Sequence, residues 1–405
     1  MSGTGIADRW SVLSGSDNWE GLLDPLDSDL RRYLIHYSAM VAPTGEALIT
    51  DTASINIGLC RYARRNLLVN TGAVKGNPFE YEVTKYLYAT SGASTGATGY
   101  NVRPARSDAV LKESNWSGYV AVATDKGKVA LGRRDILIVW RGTMRPLEWV
   151  SNFTFLFVNA PLIFGQDSAP LVHKGWYDMY TTVNPDSQLE GSSARDQVRD
   201  EVARLVALYK DEEISITVTG HSLGSSMATL NATDLAVNPF KPDIRVTAFL
   251  FGSPKVGDEN FKNAFASQAN LKGLRITDVN DIVTQIPPFG WPVGGPLLPV
   301  IYYQDVGEGL MIESKKSDYL KPELSPGLGY HDPMLYMHGI DGFQGSQEGF
   351  QPHGDFDIAK VNKYQDALKD EYNIPVAWWN IKDTGMVQQD DGSYLLDDHE
   401  PDEKF

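Results

Sequence analysis

The chain holds a single cysteine, Cys60, in 405 residues. An intrachain disulfide is therefore excluded, and a reducing compartment is expected. No apolar run approaches the length of a membrane span, so no transmembrane segment is expected. The first ten residues lack a basic stretch followed by an apolar one, the pattern of a leader peptide. These absences lead us to expect a cytoplasmic protein, at most peripheral to membranes. Positive charge is also scarce, with 36 Lys and Arg against 52 Asp and Glu and a formal net charge of −16. That balance disfavours nucleic acid as a partner and tight electrostatic docking on anionic membranes. Any lipid contact has to come mainly from apolar insertion. There are only seven histidines, which narrows the search for a catalytic base. The residues imply no metal and no organic cofactor.

What the chain does have is Gly220-His221-Ser222-Leu223-Gly224, a Gly-x-Ser-x-Gly pattern. Such a nucleophile elbow holds a serine on a tight strand-to-helix turn. Glycine is needed at both ends because a Cβ there would crowd the turn. The pattern alone is weak, and Gly92-Ala93-Ser94-Thr95-Gly96 also fits it. Context separates the two. Ile214 to Thr219 is β-branched at five of six positions and reads as a buried strand. The small residues and Leu/Met spacing after Ser222 read as a helix packed closely on a sheet. Around Ser94 the chain is rich in Gly, Ser and Thr and reads as a flexible loop.

Strands and helices alternate beyond residue 117. Gly118–Ala123 and Val129–Leu131, around a turn at Asp125-Lys126-Gly127, read as a hairpin. Ile136–Trp140 is a continuous apolar strand of the buried type. Val246–Phe251, Leu274–Val279 and Val300–Tyr303 are further strands, and Asp196–Lys210 is a helix between them. The pattern predicts an α/β fold, a mostly parallel sheet flanked by helices. Before it, Leu26–Tyr37 reads as a capped helix with Leu30, Tyr33, Leu34 and Tyr37 on one face and His36 at the surface. After it, the periodicity of Ile358, Val361, Gln365, Leu368 and Tyr372 predicts a helix over 357–372. We divide the chain into an N-terminal helical and loop segment packed on the core (1–116), the α/β core (117–372) and a C-terminal extension (373–405). The extension ends in an acidic tail expected to be disordered.

A serine nucleophile needs a base, an acid behind the base, and donors for the oxyanion. In this arrangement the acid and histidine follow the serine. His331, His338, His353 and His399 qualify. His338 falls in an apparent helix, His353 in a loop and His399 in the tail. His331 follows a Gly/Pro loop after the late strands and is the first choice. The acid belongs just beyond a strand's carboxyl end. Asp281 fits, Asp278 competes from within the strand, and Asp258 reads as a turn carboxylate. Leu223 supplies one oxyanion N–H. Thr143, just past the strand ending at Trp140, can supply a second donor or can simply close an ordinary turn.

These residues bring a family into view. Trp140-Arg141-Gly142-Thr143, Glu148-Trp149, Val172-His173-Lys174-Gly175-Trp176 and the Gly220 elbow resemble the class 3 lipases. Asn18 to Asp27, Phe251 to Asp258, His331 to His338 and Ala367 to Tyr372 resemble the plant class II phospholipases A1. The resemblance spans nearly the whole chain. It implies an α/β-hydrolase fold, with a lid-like insertion and catalysis by Ser222, Asp281 and His331, and it supports Thr143. Two departures stand out: Trp140 where Phe is usual, and Ser225 where Ala or Gly is common.

The run from Phe153 through Phe155, Leu156 and Phe157 to Leu162, Ile163 and Phe164 follows the oxyanion loop. It reads either as core or, by its position in the family, as a lid that exposes apolar surface at a lipid interface. The expected function is release of the sn-1 acyl chain from glycerophospholipids at a membrane or micelle surface. A general carboxylesterase, a galactolipid acylhydrolase or a monoacylglycerol lipase is the alternative within enzymes. A non-catalytic lipase-like signalling protein is the alternative outside them.

Overall fold

The computed structural model describes residues 5–90, 114–143, 155–166, 168–187, 189–287, 291–292, 300–324, 329–380 and 385–402. Seven strands form one sheet: β1 (Tyr81–Ala89), β2 (Asn115–Ala123), β3 (Arg134–Trp140), β4 (Ile214–His221), β5 (Arg245–Phe251), β6 (Leu271–Asp278) and β7 (Glu308–Ile312). Their order in the sheet is their order in the chain. β1, β2 and β3 are antiparallel, and β3 to β7 run parallel. This is the α/β arrangement expected, with two antiparallel strands at one edge. β1 comes from the segment ahead of residue 117, so that segment contributes to the sheet itself.

Helices cover both faces. α1 (Ser28–Ala39), α2 (Asp125–Leu131) and α6 (Pro333–Gly342) pack with Leu137, Val139, Phe249 and Ile276 on one face. α3 (Ala194–Leu208), α4 (Leu223–Val237) and α5 (Glu259–Ala266) pack with Ile138, Trp140, Val218 and Leu250 on the other. Alternate strand residues thus feed two separate cores, which is why the central strands carry few polar positions. Burying both faces of this sheet is the main stabilising term. Among the described residues, no helix is long and apolar enough to cross a membrane.

Four expectations are corrected. The hairpin expected over 118–131 is instead the strand β2 followed by the helix α2. Thr124 caps α2 by accepting from Gly127 N, and Gly132 ends it in the left-handed region at φ 79°. The helix expected over 357–372 is two short 3-10 turns, Ile358–Asn362 and Asp370–Tyr372. Asn362 Oδ1 accepts from Ala367 N and Leu368 N at 2.9 Å each, drawing those donors away from a helical ladder. His36 is buried, not on the surface; it sits 4.8 Å from the Phe79 ring, and its Nδ1 is 2.8 Å from Asn77 Nδ2. The acidic tail is packed through Asp402. Arg61 donates to the Asp398 carbonyl, Ala63 N to Glu400 and Arg64 to Asp402. The last two carboxylates sit at the N-terminus of the helix Arg64–Asn70, where negative charge is favoured.

Candidate active site

Four connections at the carboxyl ends of the parallel strands converge. Ser222 follows β4, Gly252 follows β5, Asp281 lies just past β6, and Arg141-Gly142-Thr143 follow β3. Open parallel sheets bind ligands at this end. Ser222 adopts φ 60° and ψ −132° at the N-terminus of α4, a backbone state that few side chains tolerate. The two glycines of the motif are required by space. A Cβ on Gly224 would lie 2.3 Å from the Trp140 carbonyl oxygen, and one on Gly220 would lie 2.4 Å from the Gly224 carbonyl. Ser225, one of the two departures, locks the turn from below. Its one hydroxyl hydrogen is shared between Gly220 O at 2.6 Å and Phe251 O at 2.8 Å.

His331 and Asp281 meet across 50 residues of sequence. His331 Nδ1 lies 2.7 Å from Asp281 Oδ2, with both side chains buried. The other carboxylate oxygen accepts from Val283 N at 2.9 Å, which fixes the acid at its loop. Asp278 is spent elsewhere, accepting from Asn280 N and Ser314 N. Asp258 caps α5 through Phe261 N. His338 packs in α6 with Nε2 2.7 Å from Ser317 Oγ. His353 is exposed, and His399 Nδ1 lies 2.9 Å from the Cys60 carbonyl oxygen.

One cavity of about 550 Å³ is lined by Ser222, His331, His221 and Thr143 together. Among the described residues, His331 Nε2, His221 Nε2 and Thr143 Oγ1 have no hydrogen-bond partner. Buried polar atoms without partners are costly and rare, so three around one cavity mark a place built for something else to bind. Gly142 brings the Thr143 loop against the elbow: a Cβ on Gly142 would lie 2.8 Å from His221 O and 3.5 Å from Ser222 Cβ. Leu223 begins α4, where its N–H has no intrahelical acceptor.

Two residues of the site escaped sequence reasoning. Tyr336, on α6, donates its hydroxyl hydrogen to Asp281 Oδ2 at 2.6 Å. His221 occupies a free position of the motif. Its ring centroid is 4.5 Å from that of His331. Burial, then the nearby His331, hold it well below the usual histidine range, so it is neutral. Beside His331, burial pushes the Asp332 carboxyl up to about 6, against two backbone donors at the start of α6. The usable signal was adjacency: His221 abuts the serine, and Tyr336 lies one helical turn and a residue beyond His331.

The described lid candidates are not among the residues that line this cavity. Phe157 stacks on Tyr303 with centroids 4.0 Å apart, Phe155 meets the His173 ring edge-on at 6.2 Å, and Phe164 meets Phe261. Ile163 is buried, whereas Leu156 and Leu162 are exposed. None of these six lines the cavity. Phe153 and Ser94 lie outside the described residues.

With this geometry in place, similarity to known proteins becomes informative. A family model described as Lipase (class 3) matches residues 137–291. Phospholipase A1-IIalpha of Arabidopsis thaliana is 44% identical over 409 residues, 98% of this chain and 93% of that protein. Phospholipase A1-II 4 of Oryza sativa subsp. japonica is 44% identical over 405 residues, 98% of this chain and 97% of that protein. The chain belongs to the class 3 lipases, in their phospholipase A1-II group. Within this family the fold is that of an α/β-hydrolase, and the mostly parallel seven-stranded sheet flanked by helices is its core. The serine motif therefore stands in the context it requires.

Proposed function

We propose that this protein is a carboxylic ester hydrolase that removes the sn-1 acyl chain of glycerophospholipids. Ser222 Oγ attacks the ester carbonyl while His331 Nε2 takes its proton. Asp281 holds the imidazole by its other nitrogen and stabilises the imidazolium. The Leu223 N–H, together with the N–H and hydroxyl of Thr143, receives the developing oxyanion. His331 then protonates the departing lysolipid alcohol. Water, deprotonated by the same histidine, attacks the acyl-enzyme and frees the fatty acid and Ser222. His331 returns that proton to Ser222 Oγ as the acyl–oxygen bond breaks, which regenerates the free hydroxyl and the neutral imidazole.

The observation that carries this reading is the His331–Asp281 contact at 2.7 Å, with His331 Nε2 unpartnered among the described residues and Ser222 lining the same cavity. The phospholipid and the sn-1 position are taken from the names of the relatives, phospholipases A1. A cytosolic setting also belongs to this reading, supported by the one cysteine, buried as a free thiol. The test is product analysis on phospholipids labelled separately at sn-1 and sn-2. Wild type should release the sn-1 chain, and Ser222→Ala should release neither while keeping its fold. Turnover by Ser222→Ala would refute the nucleophile. Release of the sn-2 chain first would refute the position.

A further inference from the structure

The cavity over Ser222 has an outer wall built from outside the sheet. Glu46, Leu48 and Arg61 come from the N-terminal segment, Tyr364 from the end of the core segment and Trp379 from the C-terminal extension. Glu46 and Arg61 flank one stretch of paired backbone. Leu48 bridges Cys60, and Arg61 N donates to Ala47 O at 2.6 Å.

Each of these two charged side chains has bonding capacity left over. Glu46 is 5% exposed. Its Oε1 accepts from both the Lys363 ammonium and the Tyr364 hydroxyl, while its Oε2 has no partner among the described residues. Arg61 Nη1 donates to the Asp398 carbonyl at 3.0 Å, and its buried Nε has no partner among the described residues. The other guanidinium lining the cavity, Arg141, donates to the carbonyls of Trp116 and Gly142. Leaving a buried charged group short of partners is expensive unless a ligand completes it.

The chemistry of the two groups is complementary to one kind of ligand. A guanidinium fork matches phosphate oxygens, and a carboxylate oxygen accepts from an ammonium. A glycerophospholipid with its sn-1 ester at Ser222 has its phosphate one glycerol backbone away. We infer that Arg61 and Glu46 form a headgroup subsite for a zwitterionic phosphodiester, with Arg61 taking the phosphate and Glu46 the ammonium. This rests on Ser222 being the nucleophile of a phospholipase. It goes beyond that reading by naming the residues that would distinguish a phospholipid from a neutral lipid.

The first test uses matched-chain phosphatidylethanolamine and diacylglycerol in the same detergent micelles. Arg61→Gln should lower the ratio of kcat/KM for the phospholipid to that for the diacylglycerol by about tenfold. Glu46→Gln should lower the preference for phosphatidylethanolamine over phosphatidylglycerol. Arg204→Gln, a surface change outside the cavity, should alter neither ratio. An unchanged ratio in Arg61→Gln overturns the subsite. If wild type cleaves diacylglycerol but no phospholipid, the phospholipase reading itself has failed. A second test needs no variant. Glycerophosphoethanolamine should competitively inhibit wild-type hydrolysis of a soluble p-nitrophenyl ester, and inorganic phosphate should do so more weakly. Absence of inhibition by glycerophosphoethanolamine overturns the proposal. Equal potency of inorganic phosphate overturns the part assigned to Glu46.

Discussion

Tyr336 donates its hydroxyl hydrogen to Asp281 Oδ2 at 2.6 Å, the oxygen that also stands 2.7 Å from His331 Nδ1. One carboxylate oxygen thus serves two partners, and α6 is tied to the loop after β6. The same hydroxyl accepts from Asp278 N at 3.2 Å. Tyr336 does not line the cavity and reaches it only through Asp281, so it is a positioning residue. We expect Tyr336→Phe to lower kcat about tenfold, the size of one hydrogen bond to a charged group, with KM nearly unchanged. Steady-state kinetics on a soluble ester would check this. A rise in KM with kcat intact would point to an altered pocket instead.

Thr143 contributes a hydroxyl whose oxygen is buried without a partner among the described residues. Thr143→Val keeps the shape and the backbone N–H and removes only that donor. Losing one oxyanion donor typically lowers kcat by about 100-fold. Thr143→Ser should recover most of it. If Val and wild type turn over alike, the hydroxyl is a bystander and the loop is an ordinary strand end.

The elbow makes a stability prediction that does not depend on any role for Ser222. A Cβ on Gly224 would lie 2.3 Å from the Trp140 carbonyl oxygen, backbone against which nothing flexible can yield. Gly224→Ala must push α4 away from β3, at a cost of about 3 kcal/mol or more. Gly392→Ala tests a different glycine effect. It has open space around its Cβ position and φ 84°, so its cost is the left-handed backbone alone, about 1 kcal/mol. Urea unfolding of both variants should rank them in that order.

The sheet and the elbow were legible because their signals are local. Five β-branched residues in six before Ser222, followed by small residues, can satisfy only a buried strand and a closely packed helix. Asp281 was legible for a similar reason, sitting at the first turn past a strand. Tyr336 was not, since its meaning depends on α6 meeting a loop 55 residues earlier. Nor was β7, a short edge strand whose Glu308-Gly309 start resembles a turn. The misread stretch at 125–131 shows a different limit. Asp125-Lys126-Gly127 has turn composition, and only the Thr124 cap and the left-handed Gly132 decide for a helix. At 357–372 the helical periodicity was real, but the Asn362 side chain captured the backbone donors a helix needs.

Acid should destabilise this protein before its carboxylates are fully protonated, because several histidines are buried in neutral form. Burial holds His36 and His173 down to about 3 and His338 down to about 4, and it holds His221 lower than its ordinary range as well. Each is free to bind a proton near 6.5 once unfolded. Below that pH the unfolded chain binds more protons than the folded one, so stability falls as pH drops through 6.5 toward the folded values. Carboxyls raised by burial act in the opposite sense. Asp332, pushed up to about 6, with Asp278 and Asp341 also raised, is protonated in the folded state first and offsets part of the loss. Near pH 5 these four neutral histidines outnumber the three raised carboxyls, so unfolding takes up protons on balance and stability falls with pH. Urea midpoints measured at pH 7, 6 and 5 should fall steeply over the last interval. Replacing His36 with Phe, which keeps a ring beside Phe79 and Tyr81, should remove about one proton from that slope. A flat stability profile between pH 7 and 5 would mean that these rings are charged or solvated in the folded protein.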